Sequence, residues 1–131
     1  MNKKITETDV ILNFLEDSRL RLVKSVSFEF PAGSWTGKKD RNIADIHGPN
    51  IPGIEAKSDF SSSKRDLQNH KKNNNILHYI YSADKIKEEE ISFWKENSVS
   101  ACIFLTTKNK WAILNSEDGF FEKLLPLSKR V

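Results

Sequence analysis

The segment Asp45 to Lys57 reads D-I-H-G-P-N-I-P-G-I-E-A-K. An apolar run with an acid in it, Asn42 to His47, leads into the turn-forming G-P-N-I-P-G. A second short run, Gly53 to Ser58, carries an acid and a lysine two residues apart. Runs this short, flanked by Gly and Pro, are strands. The link between them is too tight for a crossover helix, so the two strands pair antiparallel.

Working outward, Thr6-Glu7-Thr8-Asp9 fits a capping box, with Thr6 as N-cap. It predicts a helix to about Ser18 with Val10, Ile11, Phe14 and Leu15 as its apolar stripe. Glu7 then lies on the edge of the buried face. In L-R-L-V-K-S-V-S-F-E-F, Val26, Phe28 and Phe30 alternate with polar residues, which predicts a strand ended by Pro31. The glycine-bearing stretch from Pro31 to Arg41 reads as a loop.

Beyond the hairpin, Ser61, Ser62 and Ser63 offer N-caps for a helix K-R-D-L-Q-N-H-K-K-N, closed by the asparagines at 73 to 75. I-L-H-Y-I-Y-S reads as a strand. A helix follows over Ile86 to Glu96 with Ile91, Phe93 and Trp94 as its apolar contacts, then a wholly apolar strand over Val99 to Thr106. Trp111 to Leu114 pairs with that strand, and G-F-F-E-K-L-L-P forms a short helix or coil. Strands that first pair by hairpins and then alternate with helices predict an α/β fold, a mixed central sheet flanked by helices.

At 131 residues the chain is expected to form one domain, 1–131, with a sizeable core. No apolar run approaches the roughly 20 residues of a membrane span, and the N-terminus lacks an apolar signal core, so the expected location is cytoplasmic. The lone Cys102, inside A-C-I-F-L, excludes an intrachain disulfide and a cysteine-rich zinc cluster and reads as a packing residue. His47, His70 and His78 lack the spacing of a histidine-built metal site. No glycine-rich phosphate loop or nucleophile-elbow motif is present.

Side chains alternate across a strand, so Glu55 and Lys57 share one face and Ile54 and Ala56 the other. On the partner strand Ile43, Asp45 and His47 share a face, and the hairpin can set Asp45 across from Glu55. Two such carboxylates, with the Ala56 carbonyl as a third oxygen, suit Mg²⁺. A bound Mg²⁺ polarises a phosphate oxygen and acidifies water, and Lys57 would hold that water or neutralise charge at phosphorus. Each part also has a plain reading. E-x-K arises by chance in roughly every second chain of this size, Glu55 and Lys57 can lie on a wet strand face, and Asp45 can simply start a turn.

The net charge of +3 says little, but Lys38, Lys39, Arg41, Lys64, Arg65, Lys71 and Lys72 all flank the candidate site in sequence. Such a basic region attracts phosphate, or it is a solvated face. Trp35 can stack on a base or, the favoured reading, pin its loop to the core. His47 can contact phosphate or cap its turn. Glu29, His70 and His78 read as structural or solvated, and Trp94 and Trp111 as core.

The pattern R-N-I-A-D-I followed by P-G-I-E-A-K-S-D-F-S-S-S-K-R-D-L-Q-N-H resembles the PD-(D/E)xK nuclease superfamily, and within it most resembles the MmcB-type DNA-repair nucleases. The matching residues are Arg41, Ala44, Asp45, Glu55, Lys57, Ser58, Asp59 and Phe60. The resemblance implies a restriction-endonuclease-like αβββαβ core. It implies metal binding by Asp45 and Glu55, with Lys57 as the catalytic lysine. Glu7 would be the first-helix acid and Gln68 the helix glutamine that many members add. Mg²⁺, with Mn²⁺ as substitute, is the implied cofactor and DNA the implied partner. No proline directly precedes Asp45, and Gln68-Asn69-His70 stands where the family's tryptophan and tyrosine are typical. A DNA endonuclease in repair or restriction is therefore expected, as a homodimer or with a partner subunit supplying specificity. The alternative is a catalytically silent nucleic-acid-binding or interaction module on the same scaffold.

Overall fold

The computed structural model describes residues 5–18, 27–28, 46–48, 51–69, 76–116 and 119–131. The elements are α1 (Glu7–Asp17), β1 (Ser27–Phe28), β2 (Ile46–Gly48), β3 (Ile51–Ala56), α2 (Phe60–Asn69), β4 (Ile76–Ala83), α3 (Glu88–Glu96), β5 (Ser100–Leu105), β6 (Lys110–Leu114) and α4 (Phe120–Leu124). A 3₁₀ turn, Leu127–Lys129, follows. The strands form one sheet in the order β1-β2-β3-β4-β5-β6. The pairs β1–β2, β2–β3 and β5–β6 are antiparallel, and β3–β4 and β4–β5 are parallel. The expected mixed α/β sheet with helices is therefore present. Among the described residues no helix is long and apolar enough to cross a membrane.

Helix α1 starts as its sequence dictates: the Thr6 hydroxyl accepts from the Asp9 N–H at 3.1 Å, and Asp9 accepts from the Thr6 N–H at 2.9 Å. Its stripe of Val10, Ile11 and Phe14 is buried against Ile54, Ala56, Ile80, Cys102, Phe104 and Trp111 on one face of the sheet, joined by Phe121 of α4. The other face packs Tyr79, Tyr81, Ala101, Ile103 and Leu105 against Leu67 of α2 and Trp94 of α3. Strand β5 is thus buried on both sides, as its unbroken apolar run requires. Trp94, Trp111 and Cys102 are core residues, and burial pushes the Cys102 thiol up. The Trp111 indole N–H reaches Asp17 at 3.0 Å and ties β6 to the end of α1. Asn109 closes the β5–β6 turn at φ 54°, a left-handed conformation that asparagine tolerates.

Three expectations are corrected. Helix α2 begins at Phe60, and its N-terminal cap is Asp59, whose carboxylate accepts the Ser62 N–H at 2.8 Å. Ser61 to Ser63 therefore lie inside the first turn. Helix α3 begins at Glu88, because the Glu90 carboxylate accepts the Lys87 N–H at 2.8 Å and sets the helix start there. Ile91 is exposed on a wet helix face instead of packing with Phe93 and Trp94. Trp35, Glu29, His70 and the asparagines at 73 to 75 lie outside the described residues. His78 stacks on Phe120 with ring centroids 4.1 Å apart, a packing role.

A buried polar chain docks α3 on the sheet. The Tyr81 hydroxyl donates to Glu90 at 2.8 Å and accepts the Trp94 indole N–H at 3.0 Å. Burial raises the Tyr81 phenol far above its ordinary range; the Trp94 bond opposes this, and the Glu90 carboxylate reinforces it. The folded state thus keeps a proton that the unfolded tyrosine gives up near pH 10. A raised folded value means the stabilisation is intact below that pH and lost as pH rises beyond it. Urea titrations from pH 9 to 11.5 are expected to show stability falling, with Tyr81→Phe removing about 1.4 kcal/mol per pH unit from the slope above pH 10. At neutral pH, Phe14→Ala is expected to cost about 3–5 kcal/mol. Leu12→Ala, at an exposed position of the same helix, should change stability by no more than about 0.5 kcal/mol.

Candidate functional site

Alternation along β3 buries Ile54 and Ala56 in the α1 face and turns Glu55 to the opposite face. The chain beyond the strand stays fastened to β4. The Lys57 N–H donates to the Ile80 carbonyl at 2.9 Å, and the Ser82 hydroxyl donates to the Ser58 carbonyl at 2.8 Å. Asp59 then starts α2. Glu55 and Lys57 therefore project from backbone fixed on both sides, which is the setting a chemical site needs.

The Lys57 ammonium lies 3.9 Å from a Glu55 oxygen and 3.5 Å from Asp66 Oδ1. The other oxygen of Asp66 accepts the Tyr79 hydroxyl at 2.6 Å. Tyr79 pairs with Glu55 in the parallel register, so both stand side by side beneath α2. Glu55 is only 7% exposed. Lys57 opens into a cleft of about 280 Å³ lined also by Glu7, Ser62, Arg65, Asp66 and Asn69. On the other side of α2 lies a larger cleft, about 660 Å³, which Phe60, Lys64, Arg65, Gln68, Lys85 and Lys87 help to line. Arg65 borders both.

Of the residues singled out from the sequence, Glu55 and Lys57 meet, and Glu7 reaches the same cleft from the first turn of α1. Ala56 lies between Glu55 and Lys57 with its side chain in the core. Gln68 faces the larger cleft instead of the one holding Lys57. Lys64 pairs with Glu89 at 3.4 Å and sits 5.7 Å from the Phe93 ring centre. Asp45, Lys38, Lys39, Arg41, Lys71 and Lys72 lie outside the described residues. Sequence reasoning missed Asp66 and Tyr79. The available signal was helical spacing: Asp66 follows buried Ser63 by three positions and precedes buried Leu67, which places it beside the sheet-facing stripe.

The oxygens at this end of β3 are hard ligands of the kind that Mg²⁺ and Mn²⁺ take, so the donor set fits such an ion in chemical type. Among the described residues, no group of three or more His, Cys, Asp or Glu side chains is arranged to hold a metal. Comparison with protein-family models, curated proteins and solved structures finds no match.

Glu55 is buried beside Lys57, so removing the cation leaves a poorly solvated carboxylate with less compensation. Lys57→Met is expected to lower stability by about 1–3 kcal/mol. Adding Glu55→Gln should cost less in that background than in the wild type, as a urea-denaturation double-mutant cycle would measure.

Proposed function

We propose that this chain is a Mg²⁺-dependent nuclease that hydrolyses phosphodiester bonds of DNA. The observation that carries the reading is the pairing of Glu55 with Lys57 at the end of β3, where Lys57 and Glu7 line one cleft. The element order α-β-β-β-α-β over α1 to β4, with its two antiparallel pairs and one parallel pair, supports a restriction-endonuclease-like core. Asp45 directly precedes Ile46, and Ile46 pairs with Ile54, the neighbour of Glu55. Asp45, outside the described residues, is assigned as the second acid from the sequence pattern alone.

In this mechanism Asp45, Glu55 and the Ala56 carbonyl would hold the ion. When bound, it would polarise a phosphate oxygen and make a nearby water more acidic. The Lys57 ammonium donates to a non-bridging phosphate oxygen as negative charge grows there. The Glu7 carboxylate, in the same cleft, orients the attacking water. One P–O ester bond breaks, one P–O bond to the water oxygen forms, and the leaving oxygen takes up a proton. Arg65, between the two clefts, holds a flanking phosphate, with Lys64 in support. Lys38, Lys39, Arg41, Lys71 and Lys72 would extend this contact, and a second copy or partner would supply sequence choice. Repair and restriction both use this chemistry, in the cytoplasm.

One observation favours a second reading. The Lys57 ammonium already pairs with both Glu55 and Asp66, so these acids are partly compensated without an ion. A silent nucleic-acid-binding module would look the same. The two part on activity. With Mg²⁺ or Mn²⁺ the wild type is expected to cut supercoiled or branched DNA, and Glu55→Ala and Lys57→Ala to lower the rate about a hundredfold to a thousandfold. Cleavage that survives both substitutions would refute the mechanism. Tight, salt-dependent DNA binding without ion uptake in calorimetry would establish the silent module instead.

A further inference from the structure

Lys57 follows Glu55 by two positions, so the two side chains leave the strand on one face, about 7 Å apart at their Cα atoms. A four-carbon stem can fold back over that distance and close on the Glu55 carboxylate. Such a closed pair would leave Glu55 blocked as an oxygen ligand. In the structure the ammonium lies between two acids, 3.5 Å from Asp66 and 3.9 Å from Glu55, so Glu55 does not hold it alone. Asp66 can hold it there because its own carboxylate is fixed. The Tyr79 hydroxyl binds one oxygen at 2.6 Å, leaving the other toward Lys57. Tyr79 is buried in the α2–α3 face of the core and has no room to swing. The hydrogen bond therefore carries the rigidity of the sheet into the helix side chain.

We propose that Asp66, fixed by Tyr79, is a positioning residue. It shares the Lys57 ammonium with Glu55 and holds it at the cleft that Glu7 and Arg65 line. This deepens the nuclease reading and, for its catalytic consequence, rests on it. The placement of Lys57 itself can be read without any metal or DNA. Asp66 touches neither water nor phosphate in this scheme and acts through Lys57 alone.

The test is ¹H–¹⁵N spectroscopy of the lysine ammonium groups in the metal-free full chain, with the Lys57 signal assigned by its loss in Lys57→Arg. Asp66→Asn and Tyr79→Phe are both expected to shift that signal and to speed its exchange with solvent. Tyr81→Phe, which breaks the neighbouring tyrosine–carboxylate bond on the same strand, should lower stability yet leave the Lys57 signal in place. In cleavage assays Asp66→Asn should lower kcat about tenfold to a hundredfold with KM little changed, and Asp66→Glu should recover part of it. An unmoved Lys57 signal in Asp66→Asn overturns the proposal. So does a moved signal with unchanged kcat in a wild type that cuts DNA. If the wild type cuts no DNA, the nuclease reading fails, and the ammonium spectra alone decide whether Asp66 places Lys57.

Discussion

Because β3 and β4 run parallel, the chain leaving Ala56 must cross the sheet before it can return, and α2 is that crossing. The Lys57 N–H to Ile80 bond and the Ser82 hydroxyl to Ser58 bond prolong the β3–β4 pairing two residues past the strand. They set where the turn into α2 begins, and Asp59 caps the helix at once. The rest of the site follows from this placement. Lys57 is fixed at the mouth of the crossing, Asp66 sits above it, and Arg65 is left on the ridge between two clefts.

Magnitudes show how little this cluster adds to net stability. An ammonium 3.5–3.9 Å from two carboxylates gains roughly 4 kcal/mol of attraction per contact at an effective dielectric near 20. Removing Glu55 and Lys57 from water costs a comparable amount, so the net stabilisation is small. The two apolar faces supply the fold instead. Phe14, Trp94, Trp111, Tyr79 and Phe121 are all essentially inaccessible to solvent. A charged cluster that contributes little net stability is nonetheless fixed by two ion pairs and the Tyr79–Asp66 hydrogen bond, which set where the ammonium lies.

How much of this was legible in the sequence depended on whether the signal was local. The α1 capping box lies within four residues, and both its hydrogen bonds form as the spacing dictates. The apolar run around Cys102 could only be a strand buried on both faces. The α2 cap was misread because three consecutive serines are good caps, yet Asp59 stands first and its charged carboxylate is the stronger acceptor. Ile91 was misread because one apolar residue does not define a stripe. Of the candidate site, the shared face of Glu55 and Lys57 followed from strand alternation. Asp66 did not, since a lone acid among Lys64, Arg65 and Gln68 looks like a solvated helix face. Its partner Tyr79 is thirteen residues away, and only the crossover brings the two together.

Strand β4 uses one arrangement twice. Tyr79 and Tyr81 alternate onto the same face, and each donates its hydroxyl to an acid from a covering helix, Asp66 of α2 and Glu90 of α3. The surroundings make the two bonds different. Glu90 is 3% exposed, its second oxygen is taken by the Lys87 N–H, and the Trp94 indole closes over the Tyr81 oxygen. Both acceptor oxygens are engaged inside the protein, so that bond can only dock a helix. Asp66 turns its second oxygen to a lysine at the edge of an open cleft. The same bond there fixes the carboxylate that pairs with a cation at the edge of the cleft. The strand thus carries a fully buried copy and a part-buried copy of one interaction two residues apart, the second at the edge of a cleft.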